Sequence, residues 1–427
     1  MVVALAARLL YAHFAAVGGG RGDDVWYHVM ANAIAHGHGL RVPREYLMGG
    51  GSLTDYSGPS VPTAYHPPLF PALLAIPSKL GLTSYGQHRA VGCAMGAATV
   101  AVIGLAGRRL AGDRLGLAAA ALAAVYLPLI ANESALMSES LYGLTIAATI
   151  LAAIWFAEAP SVRRAALLGA AIGLATLTRA EALALVVLLV PFAVWRAPAG
   201  RIKLAGAAVL ATAVVVAPWC VRNTIEFHRP VGVSTGDGGV LAGANNRDAY
   251  YGAQAGAWNL GGLALARSAR VDRFDDAALS ARLRRKGLDY AGDHAGRLVP
   301  VVGLRVLRTW SLWPLDPSEK VAYNAFVSGR DMTAEWATLI MGWVVMALAI
   351  AGAVALRRRG IALLPLVAPL VLVTVVSALS FGDVRFREAA DVSLVLLAAA
   401  ALPWALRGGA GASAAPMPAP AQGSPAG

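Results

Sequence analysis

The chain has 427 residues, of which 57% are hydrophobic and only 14% charged, at a mean hydropathy of +0.60. Soluble domains carry about 25% charged residues, so the composition excludes a soluble enzyme or binding module and indicates an integral membrane protein. The formal net charge of +12 sits mostly at the ends of apolar runs, and no Lys/Arg-rich tract with interleaved aromatics exists, which argues against nucleic acid.

Repeated apolar runs of about 20 residues specify helices rather than barrel strands, whose polarity would alternate. The fold class expected is therefore an all-α integral membrane protein. Residues 1–18 form a first short span, and no A-x-A site follows them, so no cleaved signal is expected. The next stretch, RGDDVWYHVMANAIAHGHGL over 21–40, is the point around which the chain is organised. Asp23 and Asp24 stand at its entrance, and Asp24 is placed to cap an amphipathic run that begins at Val25. Trp26, Met30, Ala33 and Ile34 fall on one stripe of that run, with Tyr27 and His28 off it, as in a helix lying on a membrane surface. The plainer alternative is an ordinary helix cap beside a membrane anchor.

Residues 49–68 are loop-like and end in Thr63-Ala64-Tyr65-His66-Pro67-Pro68. The apolar piece 69–82 is short and carries Pro71 and Pro77, so it suits a re-entrant or interfacial element. Apolar runs follow near 87–107, 115–132, 138–157, 165–178, 181–196 and 203–220. A longer, more polar segment covers 221–334. Three further runs, near 335–356, 361–380 and 390–406, complete one membrane domain over 1–406. The Pro/Ala/Gly-rich tail, 407–427, is expected to be disordered.

If 69–82 does not cross, there are ten spans. The turns bearing Arg108, Arg109, Arg114, Arg163, Arg164, Arg196, Lys203 and Arg357 to Arg359 then share one side with both termini, as the positive-inside rule requires. Asp23, His66, Glu139, Arg179, Arg385 and the 221–334 segment fall on the opposite side. Ionisable groups at span ends are costly and tend to line a cavity. Their collection on one face points to a site opening to the periplasm or cell exterior, in a plasma or inner membrane.

The candidate groups each have a plainer reading beside the functional one. Asp23 and Asp24 form an acidic pair able to supply a general base, or to cap a helix. Tyr65-His66 before two prolines places an imidazole where it could meet a phosphate, or marks a rigid turn. Glu139 stands at the mouth of a span, where it needs a partner or serves as a cap. Arg179 with Glu181 divides two short spans, as a site element or as a hairpin with a local ion pair. Arg222 and Asn223 end a span after the interfacial Trp219, and a Gly-rich run containing Asn245 follows over 236–246. Arg385 and Arg387 suit bidentate contact with phosphate. Cys93 and Cys220 form no metal or redox motif; a disulfide between them is one reading, two free thiols the favoured one.

In order and placement these pieces resemble the polyprenyl-phosphate-sugar-dependent glycosyltransferases of the GT-C fold. The likeness is strongest to the bacterial branch related to protein O-mannosyltransferases and lipid A aminoarabinose transferases. The matching segments are Gly22-Asp23-Asp24 with Ala35-His36-Gly37, His66-Pro67-Pro68-Leu69, and Ser138-Glu139-Ser140-Leu141-Tyr142. They continue through Leu177-Thr178-Arg179, Pro218-Trp219 with Arg222-Asn223, and Arg385-Phe386-Arg387. The resemblance implies a transfer of sugar from a polyprenyl-phosphate donor to an acceptor hydroxyl on a glycan, lipid or protein. It gives Asp23 the place of the catalytic base, His66 the place of a phosphate-contacting lysine and Glu139 that of a site-facing acid. Asp24 replaces the usual Glu, and Glu388 follows Arg387 where relatives often have Pro. No cofactor is fixed. A divalent metal stays open, although Tyr65 stands where the lipid A enzymes have a carboxylate implicated in metal binding. The alternative from another class is a transporter or flippase of lipid-linked saccharides, which would favour inverted repeats; none is visible.

Overall fold

Hydropathy and capping together decide where each helix begins and ends. The computed structural model describes residues 1–15, 22–47, 52–195, 197, 199–263, 275–328 and 330–406. The expectations for Arg21, Arg196 and the 407–427 tail lie outside the described residues.

In chain order, α1 (Val2–Phe14) is followed by α2 (Asp23–Ala35), strands β1 (Arg41–Pro43) and β2 (Ser60–Pro62), and α3 (Leu69–Lys79). Next come α4 (Tyr85–Ala111), α5 (Asp113–Val125), α6 (Leu127–Glu133), α7 (Glu139–Glu158) and α8 (Val162–Thr178). Helices α9 (Leu185–Trp195) and α10 (Arg201–Phe227) lead into the 221–334 segment, which holds α11 (Asp237–Ala244), α12 (Asp276–Asp293), α13 (Ala295–Thr309) and α14 (Pro317–Ser328). The chain closes with α15 (Met332–Arg358), α16 (Leu364–Leu379) and α17 (Glu388–Ala400). Each of the ten apolar runs thus maps onto a helix or a bent pair.

Among the described residues, four helices, α4, α7, α10 and α15, are long and apolar enough to cross a bilayer, and a fifth crossing arises if α5 and α6 count as one. Those two meet at 59°, where Tyr126 leaves helical geometry and Pro128 opens the second helix. The other apolar helices, α1, α3, α9 with its preceding turn, and α16, are shorter. At about 1.5 Å per residue, the 11 residues of α3 reach only about 16 Å, roughly half the thickness of a hydrocarbon core. The protein is a multi-pass, all-helical membrane protein apart from its two short strands.

Local chemistry sets the ends. Ser84 and Gln87 form a reciprocal capping box at the start of α4, and Arg108 and Arg109 occupy its last turn. Asp331 caps α15 by accepting from the N–H groups of Thr333 and Ala334. Helix pairs close on small residues, as membrane helices do: Gly169 of α8 lies against the Ala208 backbone of α10, and Gly352 of α15 against the Leu397 carbonyl of α17. All of α17 is buried, so it forms the axis of the bundle.

The capping expectation for α2 needs correction. The helix starts at Asp23 with Gly22 as its cap, and Asp24 caps nothing; its Oδ1 accepts from the Gly22 N–H instead. Tyr27 and Ala31 pack on Phe70 and Leu74 of α3, while Val29 and Met30 pack on Leu40 and Val42 beside β1. Wedged between α3 and the strands, α2 is covered on two faces. The strands pair antiparallel, with Val42 opposite Val61, and close the first outer loop.

Candidate active site

Asp23 emerges at the first turn of α2, where the carboxylate faces the favourable end of the helix dipole. His66 Nε2 lies 3.4 Å from its Oδ1, close enough to pair but not aligned as a hydrogen bond. The imidazole is fixed by its aromatic neighbours: Trp26, Tyr27 and Tyr65 have ring centroids 4.8, 4.9 and 4.6 Å away. On the other side, Arg385 Nη2 is 4.0 Å from Asp23 Oδ2.

Arg385 belongs to a short helical turn, Val384–Arg387, whose cap Asp383 accepts the Arg385 N–H at 2.9 Å. Its guanidinium reaches Glu139 Oε1, with Nε and Nη2 both at 2.9 Å. Arg179 Nη1 donates to the same oxygen at 3.0 Å, and Arg179 Nε donates to Glu181 Oε1 at 2.6 Å. Arg179 is held in an extended break between α8 and the turn before α9, with its guanidinium over the faces of Tyr142 and Phe386. A continuous charged row therefore runs His66, Asp23, Arg385, Glu139, Arg179, Glu181. Both readings of the Arg179 pair hold in part, since the local ion pair forms and the residue also reaches Glu139.

Exposure separates the roles along this row. Glu139 is 1% exposed and spends its charge on two guanidiniums, whereas the Asp23 side chain keeps 39% of its surface. Burial alone would push the Asp23 carboxyl up, but His66, then Arg385 and Arg179, outweigh it and hold it well below the usual carboxylate range. Asp23 is thus an ionised oxygen acid at the accessible part of a row whose middle member, Glu139, is buried.

The remaining sequence candidates lie elsewhere. Tyr65 touches His66 with its ring, and its carbonyl accepts from Ser234 Oγ at 2.6 Å. Asp24 Oδ2 accepts from the Tyr85 hydroxyl at 2.7 Å, which ties α2 to α4. Arg222 donates to the carbonyls of Thr63 and Leu40 at 3.1 and 3.0 Å and stacks on Trp219. Asn223 is buried and donates to the Gly232 carbonyl. Asn245 accepts from Tyr250 and Arg305 inside the outer segment. Arg385 and Arg387 do not converge: Arg387 is buried, donates to Ser311 Oγ at 3.0 Å and lies 3.6 Å from Asp391. The reason is local. They sit two residues apart on a tight helical turn, which sends their side chains to different sides.

Sequence reasoning missed a second buried network. Arg8 pairs with Glu133. Asn132 donates to Glu388 Oε2 at 2.9 Å and accepts from Arg330 at 2.8 Å, while Tyr126 donates to Asp391 at 3.0 Å. The signal was present: an arginine inside the first apolar run has to find a carboxylate. Also missed was Asp276, whose Oδ2 accepts from Thr63 Oγ1 at 2.5 Å and fastens α12 to the His66 turn. Cys93 and Cys220 are both free thiols.

For a metal, the surroundings of Asp23 are the wrong kind. Its charged neighbours are His66 and two guanidiniums, and among the described residues no group of three His, Cys, Asp or Glu side chains could hold an ion.

No curated protein sequence matches the chain. Residues 65–221 match the family described as dolichyl-phosphate-mannose-protein mannosyltransferase. The fold matches the oligosaccharyltransferase AglB from Archaeoglobus fulgidus, solved with an inhibitory peptide and a dolichol-phosphate, at a TM-score of 0.51 and 14% identity. That match covers 93% of this chain and 49% of AglB, so the chain spans about half the length of the oligosaccharyltransferase. The same archaeal enzyme with zinc and sulfate matches at a TM-score of 0.50 and 14% identity, over 93% and 48%. ArnT from Cupriavidus metallidurans, bound to undecaprenyl phosphate, aligns over 94% and 76% at 16% identity, but its TM-score of 0.40 adds nothing to the assignment. The expected resemblance stands: this is a membrane protein with the GT-C fold, similar across residues 65–221 to the dolichyl-phosphate-mannose-protein mannosyltransferases.

Proposed function

We propose that this chain is a glycosyltransferase that moves a sugar from a polyprenyl-phosphate donor to an acceptor hydroxyl. One observation carries the reading: an ionised, partly exposed Asp23 heads a charged row that a GT-C fold holds at the ends of its helices. The match of residues 65–221 and the likeness to a dolichol-phosphate-bound enzyme support the choice of donor.

Asp23 takes the proton of the acceptor hydroxyl as that oxygen attacks the anomeric carbon. The C1–O bond to phosphate breaks, and the lipid phosphate leaves with the electron pair. A carboxylate held this low is a weak base, so the drive must come partly from the donor. When the His66 imidazole turns toward the departing phosphate, Asp23 loses the neighbour that most depresses it and becomes more basic as the bond breaks. Arg385 stays on Glu139 and keeps the row in place. Arg222 and Arg387 serve the scaffold, because their donors are already used on internal acceptors. No step is routed through a metal. The site opens to the periplasm or exterior of a plasma or inner membrane, in agreement with the arginine-bearing turns on the opposite side.

The test is to offer purified protein a panel of polyprenyl-phosphate hexoses and pentoses and to measure release of free polyprenyl phosphate with and without acceptor. Release with one sugar class supports the reading and names the donor. No release with any, together with movement of the lipid-linked sugar across vesicles, would replace it with transport.

A further inference from the structure

Beside the start of the Val384–Arg387 turn, a cleft opens between α13 and α14. Arg308, Trp313, Lys320, Tyr323, Asn324 and Asp383 line it. Lys320 is one of only four lysines in the chain, and it is 5% exposed. Among the described residues its ammonium has no carboxylate within 4 Å and no hydrogen-bond acceptor; it rests 5.2 Å from the Trp343 ring. Burying an ammonium without a counter-ion is costly, and a ring face recovers only part of its hydration.

Arg308 is a second cation of the same kind. It is buried, donates to the carbonyls of Ala255 and Ala253, and stacks on Tyr323, again with no carboxylate partner among the described residues. Asp383 is the single acid of the lining, and its Oδ1 is occupied by the Arg385 N–H. The cleft therefore carries surplus positive charge, in contrast to the Asp23 row, where each guanidinium faces a carboxylate. At its rim the chain also leaves Leu312 and Leu315 exposed, at 50% and 77%. Two cations without carboxylate partners beside exposed leucines form a site with a cationic end and an apolar end.

We propose that the Lys320 cleft binds the phosphate headgroup of a lipid, as a subsite separate from the Asp23 row. Lys320 holds the phosphate oxygens, with the positive charge of Arg308 beside it, Asn324 and Tyr323 can donate to them, and the tail lies over Leu312 and Leu315. The proposal does not rest on the transfer reaction, since a phosphate lipid could arrive as carrier or as an ordinary anionic phospholipid.

The experiment measures binding to the full-length protein in a neutral, phosphate-free detergent. The probes are geranyl phosphate, dioctanoyl phosphatidic acid, geraniol and inorganic phosphate, with thermal unfolding run on every variant. Both phosphate lipids should bind, while geraniol and inorganic phosphate bind far more weakly. Lys320→Gln should weaken phosphate-lipid binding about ten-fold, the scale of one lost charge-assisted contact, and Lys320→Arg should restore most of it. Arg385→Gln should leave a phosphate-lipid site intact. A preference for geranyl phosphate assigns the cleft to the carrier, and one for phosphatidic acid assigns it to the bulk lipid. Equal binding by Lys320→Gln and wild type overturns the proposal, as does loss of all binding in Arg385→Gln alone. Inorganic phosphate as tight as the lipids leaves a free-anion site and overturns the lipid assignment.

Discussion

At the scale of single residues, two adjacent aspartates have different work. Asp23 faces His66 and Arg385, whereas Asp24 holds the Gly22 N–H and the Tyr85 hydroxyl. Asp23→Asn keeps the shape but cannot take a proton, so polyprenyl-phosphate release should fall about 10²–10⁴-fold while the protein stays folded. Asp24→Asn keeps one acceptor oxygen for the Gly22 N–H, and its NH2 can donate to the Tyr85 hydroxyl oxygen, so it should keep most of its activity. Near-normal turnover by Asp23→Asn would remove it as the base. The pH dependence gives a second handle. Because the folded Asp23 carboxyl lies below its usual range, the stability from its pairing is present at neutral pH and fades only as pH falls through that depressed value. Removing the imidazole in His66→Gln takes away the largest lowering influence, so the acid limb of the rate profile should move to higher pH. A limb that stays put would show that His66 does not set the carboxylate.

These residues also mark how far sequence carried the argument. Asp23, His66, Glu139, Arg179 and Arg385 were legible because a charge beside an apolar run needs a reason, and the fold brings all five into one row. Asp24, Arg222, Asn223, Asn245 and Arg387 carry the same signal in one dimension. Only three dimensions reveal that Arg222 is bound to the carbonyls of Leu40 and Thr63, or that Arg387 turns inward to Ser311. Residue type and placement specify that a partner exists, not which one.

At the scale of elements, the short turn Val384–Arg387 divides two buried environments. Arg385 on one side joins the accessible row, and Arg387 on the other balances Asp391. The consequences of mutation should differ in kind. Arg387→Ala leaves Asp391 buried without its counter-charge, a loss of about 3–5 kcal/mol by analogy with other broken buried pairs, and should lower Tm and yield. Arg385→Ala should reduce turnover more than it lowers Tm, since its site is partly exposed. Comparing thermal unfolding with donor turnover for the two variants checks this, and matching profiles would deny the turn its dividing role. The bent pair α5–α6 and the two-sided burial of α2 were not readable as such, because a hydropathy run records that a segment is apolar but not where it breaks or how many neighbours cover it.

For the whole molecule, the strongest sequence argument was the placement of arginines on one side of the helices. It requires 221–334 outside and the Arg357–Arg359 turn inside. Single cysteines at Ser234 and Arg358, in a background lacking Cys93 and Cys220, should therefore differ in intact cells: a membrane-impermeant thiol reagent labels the first and spares the second. Labelling of Arg358→Cys from outside would overturn the orientation and the outward-facing site with it.

The axis of the bundle is made late. Helix α17 is buried along its whole length, against α15 and α16 and the earlier α5 and α7, yet almost four hundred residues precede its end. Chains fold as they are synthesised, earlier parts first. The early spans must therefore wait in the membrane with a slot open among them, and that slot is lined by Glu133 and Asn132, whose later neighbours have not yet arrived. Arg385 comes from the same late segment, so Glu139 and Asp23 also wait for their cation. The charged row and the packed core are then completed in a single event, and a chain stalled before residue 384 should be both inactive and a target for membrane quality control.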